Sequence, residues 1–261
     1  MGVRTQLKRM LIQSGLYHSL RRIYHQLLPT KTRGEHRRQI EFYSEFVGVD
    51  DLVFDVGANI GAKSEVFLDL GARVISFEPQ PDCCAEAHAR CGSNSRLTIV
   101  AAAVGKQSGE ATLFVSGQSA TSSFLPNWNS DTLHELSVPV VTLDSMIARY
   151  GLPRFCKIDV EGFELDVLLG LSHPLPMISL EYHLNNVGVV KTLACLDRLE
   201  SWGPLSLNIT KGEEPGLFWS EWVSLEHFRR IFPDHAPRSS TCSYGDILIR
   251  SEAFDSIGGR A

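Results

Sequence analysis

The sequence predicts an α/β protein built around a doubly wound, mostly parallel sheet. From residue 51 onward, short runs rich in Val, Ile, Leu and Phe alternate with segments of helical periodicity. Strands that alternate with short helices are typical of parallel sheets flanked by helices. The chain has 261 residues, 43% of them apolar, which suits one domain of this kind with additions.

The predicted elements follow one another in chain order. The strands are LVFDVG (52–57), RVISFEP (73–79), RLTIVAAAVG (96–105), GEATLFVSG (109–117), LSVPVVTLD (136–144), RFCKIDVEG (154–162), MISLEYH (177–183), LSLNIT (205–210) and YGDILIR (244–250). The helices are SEVFLDLG (64–71), PDCCAEAHARCG (81–92), FELDVLLGL (163–171) and VKTLACLDRLESWG (190–203). Each strand is a short apolar run bounded by turn residues, and each helix repeats apolar residues at helical spacing. Whether the last strand is antiparallel stays open.

A basic, amphipathic helical extension, residues 1–45, is predicted to precede the α/β domain, residues 46–261. Residues 1–40 hold nine Lys or Arg and one acid, although the whole chain carries a net charge of −5. Apolar residues repeat at helical spacing between 16 and 28, and the polar run TKTRGEHRR (30–38) then interrupts the pattern. The helix packs either on its own domain or a second subunit, or on an anionic membrane or partner. Nucleic acid is not expected, because the acidic remainder carries no basic motif.

The remaining composition indicates a soluble, cytoplasmic protein. No run of eighteen apolar residues is present to span a membrane, and basic residues interrupt the N-terminus where a signal peptide would be apolar. The six cysteines form no C-x-x-C pair, so we expect reduced thiols rather than a zinc site or a disulfide framework.

A glycine turn, DVGANIG (55–61), follows the first predicted strand. Ligands of doubly wound sheets bind at the carboxyl ends of the strands. Gly57 can adopt backbone angles that other residues avoid, and Gly61 opens a helix whose free N–H groups suit a carboxylate or phosphate. The spacing G-x-x-x-G differs from the G-x-G-x-x-G of dinucleotide-binding turns. Turns of this kind also occur without a ligand.

Glu78 lies at the end of the second predicted strand, and Pro79 stops the strand there. A carboxylate at this place can accept hydrogen bonds from both hydroxyls of a ribose. The two strand ends together therefore predict a site for a nucleoside with a free ribose diol. Because an acid here also suits NAD, Glu78 alone does not distinguish between cofactors.

Polar residues also occupy the ends of two later strands. Lys157, Asp159 and Glu161 alternate with apolar residues in KIDVEG, so a strand would direct all three to one side. One interpretation is an ion pair of Lys157 with Asp159 or Glu161, since unpaired charges in an apolar strand are costly. The other makes Asp159 a general base or metal ligand, supported by Glu161.

Glu181 and His183 share one side of the next strand and are expected to neighbour Asp159 across the sheet. The three side chains would form an acid–base pair or an oxygen-rich site for a divalent cation. The alternative for His183 is a hydrogen-bonded structural role.

The loop GQSATSSFLPNWNS (117–130) is too long for a simple turn. Ser122 and Ser123 are predicted to contact the cofactor or substrate, and Phe124 and Trp128 to cover a ring. The alternative is an ordered surface loop.

Four motifs in this order, VFDVGANIG, FEPQP, VPVVTLDS and KIDVEGFELDVLLGL, resemble those of the FkbM-type methyltransferases over about residues 50–250. The resemblance implies a class I (Rossmann-like) methyltransferase fold, S-adenosylmethionine as cofactor, and methylation of a hydroxyl on a carbohydrate or secondary metabolite. It also assigns residues to parts of the cofactor. The methionine part falls to Asp55, Gly57, Ala58, Asn59 and Gly61, the ribose to Glu78 beside Pro79, and the adenine to the region of Ala102.

Two other functions are weighed against this one. A nicotinamide-dependent oxidoreductase is disfavoured by the missing third glycine and by the lack of a Tyr-x-x-x-Lys pair. A non-catalytic cofactor-binding module, recruited through the basic arm, is disfavoured by the retained glycine turn and Glu78.

Overall fold

The computed structural model describes residues 30–116, 122–125, 132–235 and 244–254. The helix predicted within residues 16–28 and the side chain of Trp128 lie outside these ranges. The binding roles predicted for residues 1–40 and the boundary between residues 45 and 46 therefore stay predictions. In the described ranges, no helix combines the length and the apolar character that crossing a membrane requires.

The described residues form helices and strands that alternate along most of the chain. The helices are α1 (Thr30–Tyr43), α2 (Ala62–Asp69), α3 (Pro81–Cys91), α4 (Leu143–Tyr150), α5 (Glu164–Leu169), α6 (Asn186–Glu200) and α7 (Leu225–His235). The strands are β1 (Leu52–Val56), β2 (Arg73–Phe77), β3 (Leu97–Val100), β4 (Ala103–Val104), β5 (Gly109–Ser116), β6 (Thr132–Val141), β7 (Phe155–Ile158), β8 (Met177–His183), β9 (Leu205–Ile209), β10 (Val223–Ser224) and β11 (Tyr244–Ser251).

The main sheet has eight strands in the order β10-β9-β11-β8-β7-β1-β2-β3. Strands β8, β7, β1, β2 and β3 pair in parallel, whereas β11 runs antiparallel between β8 and β9. The chain fills the β2 and β3 side first and then returns to β7 on the other side of β1. This reversal creates a crevice at the carboxyl ends of β1 and β7, where such sheets bind ligands. The predicted doubly wound, mostly parallel sheet is confirmed.

Two predicted strands have different limits in the structure. The strand predicted over 96–105 divides into β3 and β4, because β4 leaves the main sheet to pair with β6 in a second sheet of order β4-β6-β5. The strand predicted over 136–144 ends at Val141. Thr142 then caps α4, its side chain accepting the N–H of Ser145, which satisfies a donor at the helix start.

The sequence prediction missed α4, α7 and β10. It also treated the polar run 30–38 as an interruption, whereas these residues belong to α1. In α7, Phe228 and Phe232 are buried and their rings stack at 4.7 Å between centroids. Their four-residue spacing is a helical signal that the prediction overlooked.

The two faces of the sheet carry separate apolar clusters, because alternate residues of each strand point to opposite sides. Phe54, Ile75 and Cys156 belong to one cluster, and Val53, Val74, Phe155 to the other. The second cluster also takes in Phe42 and Tyr43 of α1 together with Phe46 and Phe67. The carboxyl-terminal turn of α1 is thus packed on the sheet.

Replacing Phe42 with Ala is expected to lower the free energy of unfolding by about 3–5 kcal/mol, the usual cost of removing a buried aromatic ring. The Phe42 ring is buried and lies 5.1 Å from that of Tyr43 and 5.3 Å from that of Phe46. Denaturant unfolding measures the change, with exposed Glu45→Ala as the control. Equal stability of the two variants would show that α1 contributes nothing to the core.

Candidate functional site

A cavity of about 560 Å³ lies at the carboxyl ends of β1, β2, β7 and β8. It occupies the crevice created by the reversal of strand order. Its wall brings together most of the side chains that the sequence singled out. The predicted residues in the wall are Asp55, Gly57, Ala58, Asn59, Glu78, Pro79, Ser122, Lys157, Asp159, Glu161, Glu181 and His183.

Three predicted site residues lie outside this wall. Gly61 faces α3, where an added Cβ would lie 2.9 Å from the Cβ of Ala87. Ala102 is buried, and its neighbours Ala103 and Val104 line the cavity instead. Ser123 is 3% exposed and donates its hydroxyl to the carbonyl oxygen of Glu161 at 2.8 Å.

The turn after β1 is shaped by a close approach of two backbones. Gly57 has a φ of 82°, and a Cβ there would lie 1.8 Å from the carbonyl oxygen of Asp159. The turns after β1 and β7 therefore touch, which only glycine permits. The N–H groups of Gly57 and Ala58 both donate to the carbonyl of Phe77 at 3.0 Å, which ties the turn to the end of β2.

Glu78 follows β2 directly and is 3% exposed. Its two carboxylate oxygens accept the backbone N–H groups of Asn59 and Gln80, at 2.9 and 2.8 Å. Burial raises the pKa of Glu78 to about 7, although both hydrogen bonds oppose the rise. A carboxylate oxygen has two lone pairs, so each can still accept a ligand hydroxyl.

Asp55 lies at the end of β1 and is 2% exposed. Its carboxylate accepts the hydroxyl of Ser64 in α2 at 2.5 Å, and the Ser64 oxygen lies 2.7 Å from that of Ser76 in β2. Burial raises the pKa of Asp55. The side chain thus links β1, β2 and α2 beneath the cavity.

Lys157 is 3% exposed at its side chain, and its ammonium lies between two carboxylates. The distance from Nζ is 3.0 Å to Asp159 and 3.1 Å to Asp246. Burial alone would lower the pKa of Lys157, but these two charges outweigh it and hold the pKa well above its usual value. Burial also opposes ionisation of Asp159, yet the Lys157 charge lowers the pKa of Asp159. Of the ion pairs considered from sequence, the one with Asp159 is present.

Glu181 and His183 of β8 lie beside Asp159, with 3.4 Å between His183 Nε2 and Glu181 Oε2. Burial, reinforced by the charges of Asp159 and Glu161, raises the pKa of Glu181. Ligand atoms of Glu161, Glu181 and His183 all lie within 4.8 Å of one another. One divalent cation could bridge this set at typical ligand distances of about 2.0–2.6 Å, and a proton on Glu181 relieves the same repulsion. A bound metal stays a prediction, and Glu161, Glu181 and His183 are its candidate ligands.

The strand predicted to carry Lys157, Asp159 and Glu161 ends earlier than expected. β7 stops at Ile158, and Glu161 has a φ of 54° followed by Gly162 at 91°. A positive φ is strained for a residue other than glycine and persists only when surrounding contacts hold it. Ser123 holds the carbonyl of Glu161, and the N–H of Gly162 donates to Glu164 at 2.9 Å. Glu161 therefore lines the cavity from a turn that these two hydrogen bonds hold in place, not from a continuous strand.

Sequence reasoning missed five polar residues at or beside the cavity, one of which is Gln80 in the wall. Lys63, Glu213 and Tyr244 line its wall, and Asp246 pairs with Lys157. Asp246 carried a readable signal, since it is an acid within the apolar strand YGDILIR. Lys63 and Glu213 have small or polar neighbours in the sequence, so a charged residue does not stand out at either position.

Part of the cavity wall is apolar. Ala103, Val104, Leu113 and Phe124 line it, and the ring of Phe124 lies 5.1 Å from that of Phe163. Ser122 borders the same wall and accepts the N–H of Ser116 at 3.0 Å. A flat heterocycle would bury its faces well here.

The strand order, the glycine turn after β1 and the carboxylate after β2 together define an enzyme of the class I methyltransferase type, with a nucleoside cofactor. The profile of the Methyltransferase FkbM domain matches residues 55–203, more than half of the chain. The protein belongs to the FkbM methyltransferase family, and its cofactor is S-adenosylmethionine. The nicotinamide-dependent alternative is accordingly not favoured.

One relative is the hexuronic acid methyltransferase AglP of Haloferax volcanii, which is 28% identical over 179 residues. The alignment covers 62% of this chain and 66% of that protein, slightly less than two thirds of its length.

Two solved structures illustrate the wider similarity. The precorrin-6Y C5,15-methyltransferase of Geobacter metallireducens has a TM-score of 0.44 at 11% identity, covering 82% of this chain and 88% of that one. Fibrillarin of Aeropyrum pernix, with natively bound S-adenosyl-L-methionine, has a TM-score of 0.43 at 7% identity and covers 79% and 68%. The fold is defined by the strand order of the main sheet and by the family match.

The affinity for S-adenosylhomocysteine is expected to depend on pH through Glu78. A ribose diol needs the carboxylate form, and before binding the pKa of Glu78 is raised to about 7. Below that pH, binding must release a proton, so affinity falls by up to about tenfold per pH unit as the pH drops.

Calorimetric titrations on both sides of neutral pH measure this profile. Glu78→Gln has no proton to release at this position and should give a flatter profile with weaker binding. A wild-type profile as flat as that of the variant would remove Glu78 from the ribose site.

Proposed function

We propose that this protein transfers the methyl group of S-adenosylmethionine to a hydroxyl oxygen of a carbohydrate. The observation that carries the proposal is the cavity itself. Glu78, suited to a ribose diol, and Asp159, suited to a hydroxyl acceptor, lie in the wall of the same cavity of about 560 Å³. A volume of this order is typical of small-molecule sites.

The reaction needs alignment and removal of one proton. The acceptor oxygen attacks the methyl carbon in line with the sulfur, an O–CH₃ bond forms, and the S–CH₃ bond breaks. The bonding pair returns to sulfur, which becomes the neutral thioether of S-adenosylhomocysteine. The sulfonium is already an activated leaving group, so positioning the acceptor is the main task of the protein.

Asp159 is the proposed general base. Its carboxylate is ionised because Lys157 lies 3.0 Å away, and its side chain is 32% exposed. A positioned carboxylate can take up the hydroxyl proton as the new bond forms. Since the pKa of Asp159 is lowered, the proton then passes readily to water. Glu181 and His183 flank this position and would orient the acceptor.

A hydroxyl fits this end of the cavity better than a carboxylate does. The relative AglP is a hexuronic acid methyltransferase, and a hexuronic acid offers both groups for methylation. Asp159, Glu161 and Glu181 line the acceptor end of this cavity. The negative charge of Asp159 would repel an acceptor carboxylate, whereas a hydroxyl can donate a hydrogen bond to that carboxylate.

Incubation with methyl-labelled S-adenosylmethionine tests the proposal. The acceptors would be hexuronic acid glycosides and the matching neutral glycosides, each assayed with and without a chelator of divalent cations. The expected product carries its label in a methyl ether, which withstands mild base. Label released by mild base would indicate a methyl ester and contradict a hydroxyl acceptor.

Replacing Asp159 with Asn is expected to lower kcat by roughly 10²–10⁴-fold, the usual contribution of general acid–base catalysis. The affinity for S-adenosylhomocysteine should stay within about twofold, because Asp246 still pairs with Lys157. Steady-state kinetics and calorimetry measure the two quantities. Asp197→Asn, on the surface of α6 with 67% of its side chain exposed, is the matched control. An Asp159 variant as active as this control would refute the assignment.

A further inference from the structure

The cavity wall has an uneven distribution of charge. Among the described residues it carries six acidic side chains and two lysines, Lys63 and Lys157. Lys157 is buried and held by Asp159 and Asp246. Lys63, in the first turn of α2, has a side chain that is 20% exposed and contributes to the wall. Within the described wall, Lys63 is therefore the lysine whose ammonium can meet a bound anion.

Contacts from two other segments, α1 and the chain at Glu213, hold the Lys63 side chain in place. Its ammonium donates to the side-chain oxygen of Gln39 in α1 at 2.9 Å and lies 5.7 Å from the ring centroid of Tyr43. It also lies 3.3 Å from a carboxylate oxygen of Glu213. The Gln39 amide donates to the backbone carbonyl of Glu213 at 2.9 Å. Helix α1 thus contacts a lysine of the cavity wall through Gln39.

The contact between Lys63 and Glu213 leaves the ammonium available to a ligand. The Glu213 side chain is 72% exposed, and exposed ion pairs contribute little because water screens them. An anion inside the cavity would meet Lys63 in a less hydrated setting, where a charged hydrogen bond is stronger.

The methionyl part of S-adenosylmethionine carries a cationic sulfonium, an ammonium and a carboxylate. The acidic side chains of the wall suit the two cations, but they repel the carboxylate. The start of α2 presents backbone N–H groups that favour an anion, and Lys63 lies in this first turn. Both features place the favourable position for a carboxylate at the same end of the cavity.

We propose that Lys63 binds the carboxylate of the methionyl part of S-adenosylmethionine and that Gln39 of α1 positions the Lys63 ammonium. This inference builds on the proposed function. A carboxylate on an acidic sugar acceptor has the same chemistry, so the experiment must distinguish the two sources.

A pair of ligands isolates the contact. S-adenosylhomocysteine contains the methionyl-derived carboxylate, and S-adenosyl-3-thiopropylamine lacks only that group. Calorimetric titration of Lys63→Met should show S-adenosylhomocysteine bound about 10- to 100-fold more weakly than by the wild type. The affinity for the decarboxylated ligand should change less than about twofold, which also shows that the variant is folded. Gln39→Leu should reproduce part of the selective loss.

Lys106→Met is the matched control, because Lys106 is 60% exposed, pairs with Asp166 and lies outside the cavity wall. Equal loss of both ligands, or no loss of either, in Lys63→Met would overturn the inference. So would unchanged binding of S-adenosylhomocysteine together with a raised KM for hexuronic acid acceptors alone, which would assign Lys63 to the acceptor. A wild-type protein that binds neither ligand would instead contradict the proposed function.

Discussion

The end of the cavity that holds Asp159 depends on one buried cation. Lys157 lies in the cavity wall with its ammonium between Asp159, two residues further along the chain, and Asp246, which is 89 residues away in sequence. A buried charge is costly without partners, and removing one partner of a buried pair is strongly destabilising. The pair with Asp159 keeps that carboxylate ionised, and the pair with Asp246 fixes β11 against the site. The ion pairs of Lys157 therefore both stabilise the fold and set the ionisation of Asp159.

Neighbouring carboxylates in this site have opposite protonation behaviour because their surroundings differ. Asp159 faces the Lys157 ammonium and has a lowered pKa. Glu181 faces Asp159 and Glu161, and burial with these charges raises its pKa. Divergent carboxyl groups side by side are characteristic of functional sites. The site thus places Asp159, whose carboxylate can accept a proton, beside Glu181, whose carboxyl group can donate one.

Local sequence patterns were sufficient to predict most strands of the sheet, and most of the predicted site residues line the cavity. DVGANIG and FEP mark the ends of β1 and β2, and their side chains do meet at the cavity. What the patterns lacked was information on contacts between distant segments. Ser123 seemed available to a ligand from its polar loop, but tertiary packing directs its hydroxyl to the Glu161 backbone. The position of Lys63 depends on its contacts with α1 and with Glu213. Strand β4 lies outside the main sheet because it pairs with β6.

The antiparallel strand β11 has a consequence for the biosynthesis of the protein. It inserts between β8 and β9, although it follows both in the chain, and it supplies Asp246 to Lys157. Domains generally fold as units while the ribosome extends the chain from its N-terminus. Until residues 244–251 have emerged, the nascent sheet lacks an inner strand and its buried lysine lacks one of two counterions. The side of the cavity that holds Lys157 is therefore complete only after β11 has taken its place in the sheet.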